Sequence, residues 1–152
     1  MSKSVAEELA AGRNAAAAEH ERTGIIHLTG GELHVKYGVI PWREDRRIAT
    51  EHQSITDEGE RLLRAAADTL IKASQGSIAH VGDRMEDLPP LGLELAGRLG
   101  LDGAENDRQV VFMLFPSDRA VMEEFWEHEA WTARVSKGLD EQQAGNSEAA
   151  SQ

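Results

Sequence analysis

Apolar and polar residues alternate most sharply between Gly24 and Gly38, "GIIHLTGGELHVKYG". Gly30 and Gly31 suit the centre of a tight turn, where positive φ is free only to glycine, so the segment predicts a β-hairpin. In that register His27 faces His34, Leu28 faces Leu33 and Ile26 faces Val35. One side carries Ile26, Leu28, Leu33, Val35 and Tyr37. The other carries Ile25, His27, Thr29, Glu32, His34 and Lys36. Such a period-two split is the mark of a half-buried strand pair.

Elsewhere the spacing is helical. Residues 3–22, rich in alanine and glutamate, predict a first helix with a thin apolar face of Val5, Leu9 and then alanines. Thr56 can cap another, with Asp57 and Glu58 in its first turn and Leu62, Leu63, Ala66, Leu70 and Ile71 as its stripe. Ser77–Val81 suits a short strand, 82–90 a loop, and 91–100 a short helix weakened by Gly92 and Gly97. Gln109–Phe115, "QVVFMLF", is apolar on both faces and predicts a buried central strand. Ser117 then caps a long helix to Lys137, and from Gly138 the chain turns small and polar, the pattern of a disordered tail.

This order of elements predicts an α+β fold. The expected form is a two-layer sandwich with a small, mostly antiparallel sheet containing the hairpin and helices packed on one face. Residues 1–22 form a weakly packed N-terminal helix in this reading, 23–137 a single α+β domain, and 138–152 the tail.

Composition narrows the picture. Apolar residues are 40% of the chain and aromatics 5%, so Leu, Val, Ile and Ala must build the core, with Trp42, Trp126 and Trp131 as its few large pieces. The length of 152 residues suits one domain. The absence of cysteine excludes disulfides, thiolate zinc sites and a cysteine nucleophile, and fits a reducing cytosol. No apolar run reaches the roughly 18 residues needed to span a bilayer. The first residues lack both a signal core and an Arg-rich transit pattern, so a cytoplasmic protein is expected. Its formal charge of -11 favours partners with a basic surface and opposes direct binding to nucleic acid. Basic residues gather only in "WREDRR", Trp42–Arg47, with two acids among them.

Three groups of residues are candidates for chemistry. His27 and His34, as cross-strand neighbours with Glu32 on the same face, can share a divalent metal. A further ligand would come from His20, His52, His80 or His128. The same positions suit a solvent-facing pair of neutral imidazoles, or a face that responds to mild acid. On the long helix Glu124 and His128 lie one turn apart, the spacing of a surface charge pair, without the paired histidines of the zincin motifs. Val121, Met122, Phe125, Trp126, Ala130 and Ala133 form that helix's apolar face. Trp131 falls on the far side beside Glu124, Glu127 and His128, where a tryptophan is either covered by the first helix or a contact for a partner. No phosphate-binding loop and no G-x-S-x-G elbow is present.

Asp45, Arg46 and Arg47, followed by Thr56, Asp57, Glu58, Gly59, Leu62 and Leu63, resemble part of the MarR-type regulators. In that family a wing leads through a Thr-x-x-Gly turn into a dimerisation helix. The resemblance implies DNA binding through Arg43–Arg47, although the run between its halves is long for the family and no helix-turn-helix precedes it. A capped amphipathic helix after a charged loop accounts for the same residues.

The expected function is a small acidic protein-interaction or inhibitor protein without catalysis or a required cofactor, occupying a basic surface of its partner. Trp131, Glu124, Glu127 and His128 are its expected contacts. The alternatives are a metal-dependent enzyme built on His27, His34 and Glu32, and a DNA-binding regulator.

Overall fold

A computed structural model describes residues 4–9, 20–40 and 42–150, with the backbone alone at Trp42 and 139–150. Two hairpins build the sheet. β1 (Arg22–Leu28) and β2 (Gly31–Tyr37) form the first, and β3 (Ser74–Val81) and β4 (Arg84–Leu88) the second. The order is β1-β2-β3-β4, antiparallel throughout. The helices are α1 (Trp42–Glu51), α2 (Glu58–Ala73), α3 (Leu93–Arg98), α4 (Asp107–Leu114) and α5 (Asp118–Ala150).

Ile26, Leu33, Val35 and Tyr37 line the inner face of the sheet. They meet Ala66, Ala67 and Leu70 of α2, Leu95 of α3, Val110, Val111 and Leu114 of α4 and Val121 of α5 in one hydrophobic cluster. Fully burying a side chain such as Leu33 or Leu70 stabilises by about 1.5–3 kcal/mol. The opposite face carries Ile25, His27, Glu32, His34, Ile78, His80 and Met85 and has no helical layer among the described residues. This is the α+β sandwich that the patterning predicts, with helices packed against an antiparallel sheet.

The hairpin forms with its faces as expected but in a different register. His27 pairs with Glu32 and Ile25 with His34, so His27 and His34 are not directly opposed. The turn centres on Thr29 and Gly30, and Gly30 takes the positive φ, 92°. Gly31 serves another purpose: a Cβ there would collide with the carbonyl oxygen of His80 on β3. Moving the turn by one residue changes every cross-strand partner but leaves each side chain on its face.

Other boundaries also differ. "QVVFMLF" is helical, not a strand: Asn106 caps it by accepting from the Gln109 amide at 2.9 Å, and Val110, Val111 and Leu114 are buried at helical spacing. The expected loop at 82–90 contains β4, which pairs with β3 around a turn at Gly82, whose φ is 60°. The charged stretch after Pro41 is α1. Asp57 rather than Thr56 caps α2, accepting from the Glu60 amide at 2.8 Å. Ser117 does cap α5, through the Ala120 amide at 3.1 Å. That helix continues to Ala150, across most of the expected disordered tail at 138–152. Residues 5–9 are helical, with Val5 and Leu9 exposed; 10–19, the middle of the expected first helix, lie outside the described residues, and Arg22 already belongs to β1.

Candidate functional site

Four side chains of metal-ligating type are neighbours on the open face of the sheet. His27 on β1 and His80 on β3 flank Glu32 on β2 as its cross-strand neighbours, and His34 lies two residues further along β2. Glu32 reaches both hairpin histidines: Oε2 is 3.2 Å from His27 Nδ1 and Oε1 is 3.5 Å from His34 Nε2. The His34 and His80 rings stack with centroids 3.7 Å apart. The expected pair is therefore part of a group of three histidines around one carboxylate. The outward parity of His80 in "SIAHV" was the sequence signal for the third.

Two further polar clusters are partly buried. At the end of α1, His52 Nε2 is 2.7 Å from Asp68 Oδ2 on α2, and Arg108 of α4 donates to both Asp68 oxygens at 2.9 and 2.8 Å. Burial alone would raise the Asp68 pKa, but the hydrogen bonds and charges of Arg108 and His52 outweigh it and hold the carboxyl below its ordinary value. Glu51, His52 and Asp68 place ligand atoms within 4.8 Å of one another. The Arg108 fork already occupies the Asp68 carboxylate, so the group serves as a clasp joining three helices.

The other cluster lies between β1, β2 and α5. Arg22 Nη2 approaches Glu124 Oε1 to 2.6 Å, and the Arg22 guanidinium sits 4.6 Å above the Tyr37 ring. His128 is fully buried beside Tyr37, with centroids 5.4 Å apart. Burial, assisted by the Arg22 charge, pushes His128 down to about 4. Burial and the Glu124 charge raise the Tyr37 hydroxyl, partly offset by Arg22. Both His128 nitrogens, the Tyr37 hydroxyl and Arg22 Nε have no hydrogen-bond partner among the described residues. Gly24 permits this approach, since a Cβ there would come within 2.9 Å of the Tyr37 ring.

That cluster turns α5 away from its expected orientation. Glu124 and His128 face inward with Val121 and Val135, while Trp126, assigned from spacing to the apolar face, is 58% exposed. Trp131 is half-buried, 5.6 Å from the His128 ring. Of the four expected contacts, Glu124 and Glu127 line one surface depression, and Trp131 and His128 lie outside it. The ion pair that rotates the helix joins residues 22 and 124, and local periodicity carries no trace of it.

The depression is a groove of about 710 Å³ between β1 and one side of α5. Ile25, Ile26 and His27 form the strand wall; Ala120, Glu123, Glu124, Trp126, Glu127 and Ala130 form the helix wall, and Phe115 and Pro116 close it. β1 is an end strand of the sheet, so its outer edge has no strand neighbour among the described residues.

Of the residues behind the MarR-type resemblance, 56–59 lead into a helix, α2, that carries Leu62 and Leu63, but the charged half falls elsewhere than that family implies. Asp45, Arg46 and Arg47 lie on α1, not on a wing, and Arg47 pairs with Glu44 and Glu51, each at 3.0 Å. No helix among the described residues is long and apolar enough to cross a membrane. No family model matches the chain, and neither does any curated protein or solved structure.

Proposed function

We propose that this protein is a noncatalytic, acidic interaction protein that receives an extended, basic segment of a partner along the outer edge of β1. The observation that carries this reading is the exposed Trp126 on one wall of a groove whose other wall is an end strand. An end strand offers backbone N–H and C=O groups to an added strand, and pockets beside it select alternate side chains. Here Trp126, Ala120 and Ala130 supply apolar contact, and Glu123 and Glu127 supply negative charge at the rim. Tryptophan in such a position is a frequent source of binding energy. The formal charge of -11 favours a basic partner and opposes pairing of two copies of this chain along β1. The contact residues differ from the expected set: Trp126 replaces Trp131 as anchor, Glu127 remains with Glu123 beside it, and Glu124 and His128 support the helix from within.

Fluorescence anisotropy with labelled peptides of alternating valine and lysine, against matched valine–glutamate peptides, tests this. The lysine series should bind, should weaken as salt rises, and should lose about tenfold or more in affinity in Trp126→Ala. Equal binding of both series, or no effect of Trp126→Ala in a protein with unchanged circular dichroism, would sink the proposal. A dimer in sedimentation that dissociates in Trp126→Ala would assign the groove to a second copy instead.

A further inference from the structure

The open face of the sheet has its own chemistry. We infer that His27, Glu32, His34 and His80 form a binding site for a divalent transition metal of the zinc, nickel or copper type. The basis is a convergence from three strands. Glu32 is the cross-strand neighbour of His27 on one side and His80 on the other, and its two oxygens lie 3.2 and 3.5 Å from nitrogens of His27 and His34. His80 projects from β3 beside them and stacks on His34 at 3.7 Å, so its ring nitrogens must turn to join the set.

Cross-strand and diagonal neighbours on a sheet are close enough for their side chains to meet at one point. The backbone of three hydrogen-bonded strands holds the Cα positions, and only side-chain rotations remain. The His34 and His80 rings, inclined at 23°, must splay so that their in-plane lone pairs converge on one ion. His27 and Glu32 have the freedom to follow, with side chains 80% and 41% exposed.

The donor set selects the metal. Three imidazoles and one carboxylate match the nitrogen and oxygen preferences of zinc, nickel and copper in a four-coordinate site. Calcium and magnesium require oxygen ligands throughout and are disfavoured here. The clasp at His52 differs, because an arginine already occupies its carboxylate. His34 and His80 do not line the groove beside β1, so their substitution separates metal binding from peptide binding.

Calorimetric titration of untagged protein with zinc chloride near neutral pH tests the site. One equivalent per chain is expected. His34→Ala and His80→Ala should each weaken binding by about tenfold or more, with circular dichroism unchanged, and His52→Ala should leave it unaltered. Binding should also fall in acid, because protonated imidazole cannot coordinate. Absence of stoichiometric zinc binding overturns the inference. So does binding that survives both His34→Ala and His80→Ala, or that is lost in His52→Ala with the fold intact.

Discussion

Two clusters each combine a histidine, a carboxylate and an arginine, to opposite effect. His52, Asp68 and Arg108 form a closed set: the carboxylate accepts from the arginine at both oxygens and meets the histidine at 2.7 Å. An ionised carboxylate can only accept, so His52 Nε2 must hold the proton. His128, Glu124 and Arg22 leave both imidazole nitrogens and Arg22 Nε unpartnered among the described residues, and the 2.6 Å approach of arginine to carboxylate is an ion contact without an aligned hydrogen bond. Alignment, more than residue type, decides whether buried polar groups stabilise a fold. The first cluster ties α1, α2 and α4 together. The second keeps one side of α5 on the sheet and turns Trp126 outward beside β1.

The sharpest way to break the contrast is Asp68→Ala. It leaves His52 and the Arg108 guanidinium without their acceptor and should destabilise by about 4 kcal/mol in urea denaturation. Acid separates the clusters next. His128 falls from 6.5 to about 4 in the native state, so the unfolded chain binds the proton first. Its neutral form contributes stability fully above pH 6.5, and this is lost progressively as pH falls towards 4, by about 3 kcal/mol in all. Asp68, with a lowered pKa, contributes stability above its ordinary value of 3.8 and loses it only as pH falls further, through the native value. In His128→Leu the loss between pH 6.5 and 4 should shrink, read from urea midpoints across pH, while the Asp68 limb below pH 3.8 remains. The smallest effect should come from Tyr37→Phe, which deletes a buried hydroxyl with no partner among the described residues and should be neutral or stabilising by about 1 kcal/mol in the same assay.

The elements legible in the sequence are those whose own spacing carries the information. Ile26, Leu33, Val35 and Tyr37 alternate, so their shared face could be read directly, and Leu62 to Ile71 mark α2 through their stripe. What escaped depends on distant partners or on the absence of a pattern. An apolar run such as Val110–Leu114 fits a buried strand or a buried helix equally well, and the Asn106 cap decides between them. β4 is an exposed end strand of charged residues, so it has no apolar alternation to find. The hairpin register turned on Gly31, whose lack of a side chain serves β3 rather than the turn. At the candidate sites, His27, His34 and Glu32 could be placed on one face from the hairpin alone. Glu127 could be seen as surface charge. The burial of His128 could not, because Arg22 and Tyr37 are far away in the chain.

Strand order equal to chain order also has a kinetic consequence. The β1–β2 and β3–β4 hairpins each close through a short local turn and can form independently within microseconds. The β2–β3 pairing alone must gather in the whole of 38–73, with α1 and α2 inside the loop it closes. That seam has the highest entropic cost of closure in the sheet. It should therefore set the rate at which two preformed ribbons become one surface, and the Gly31 approach to His80 lies on that seam.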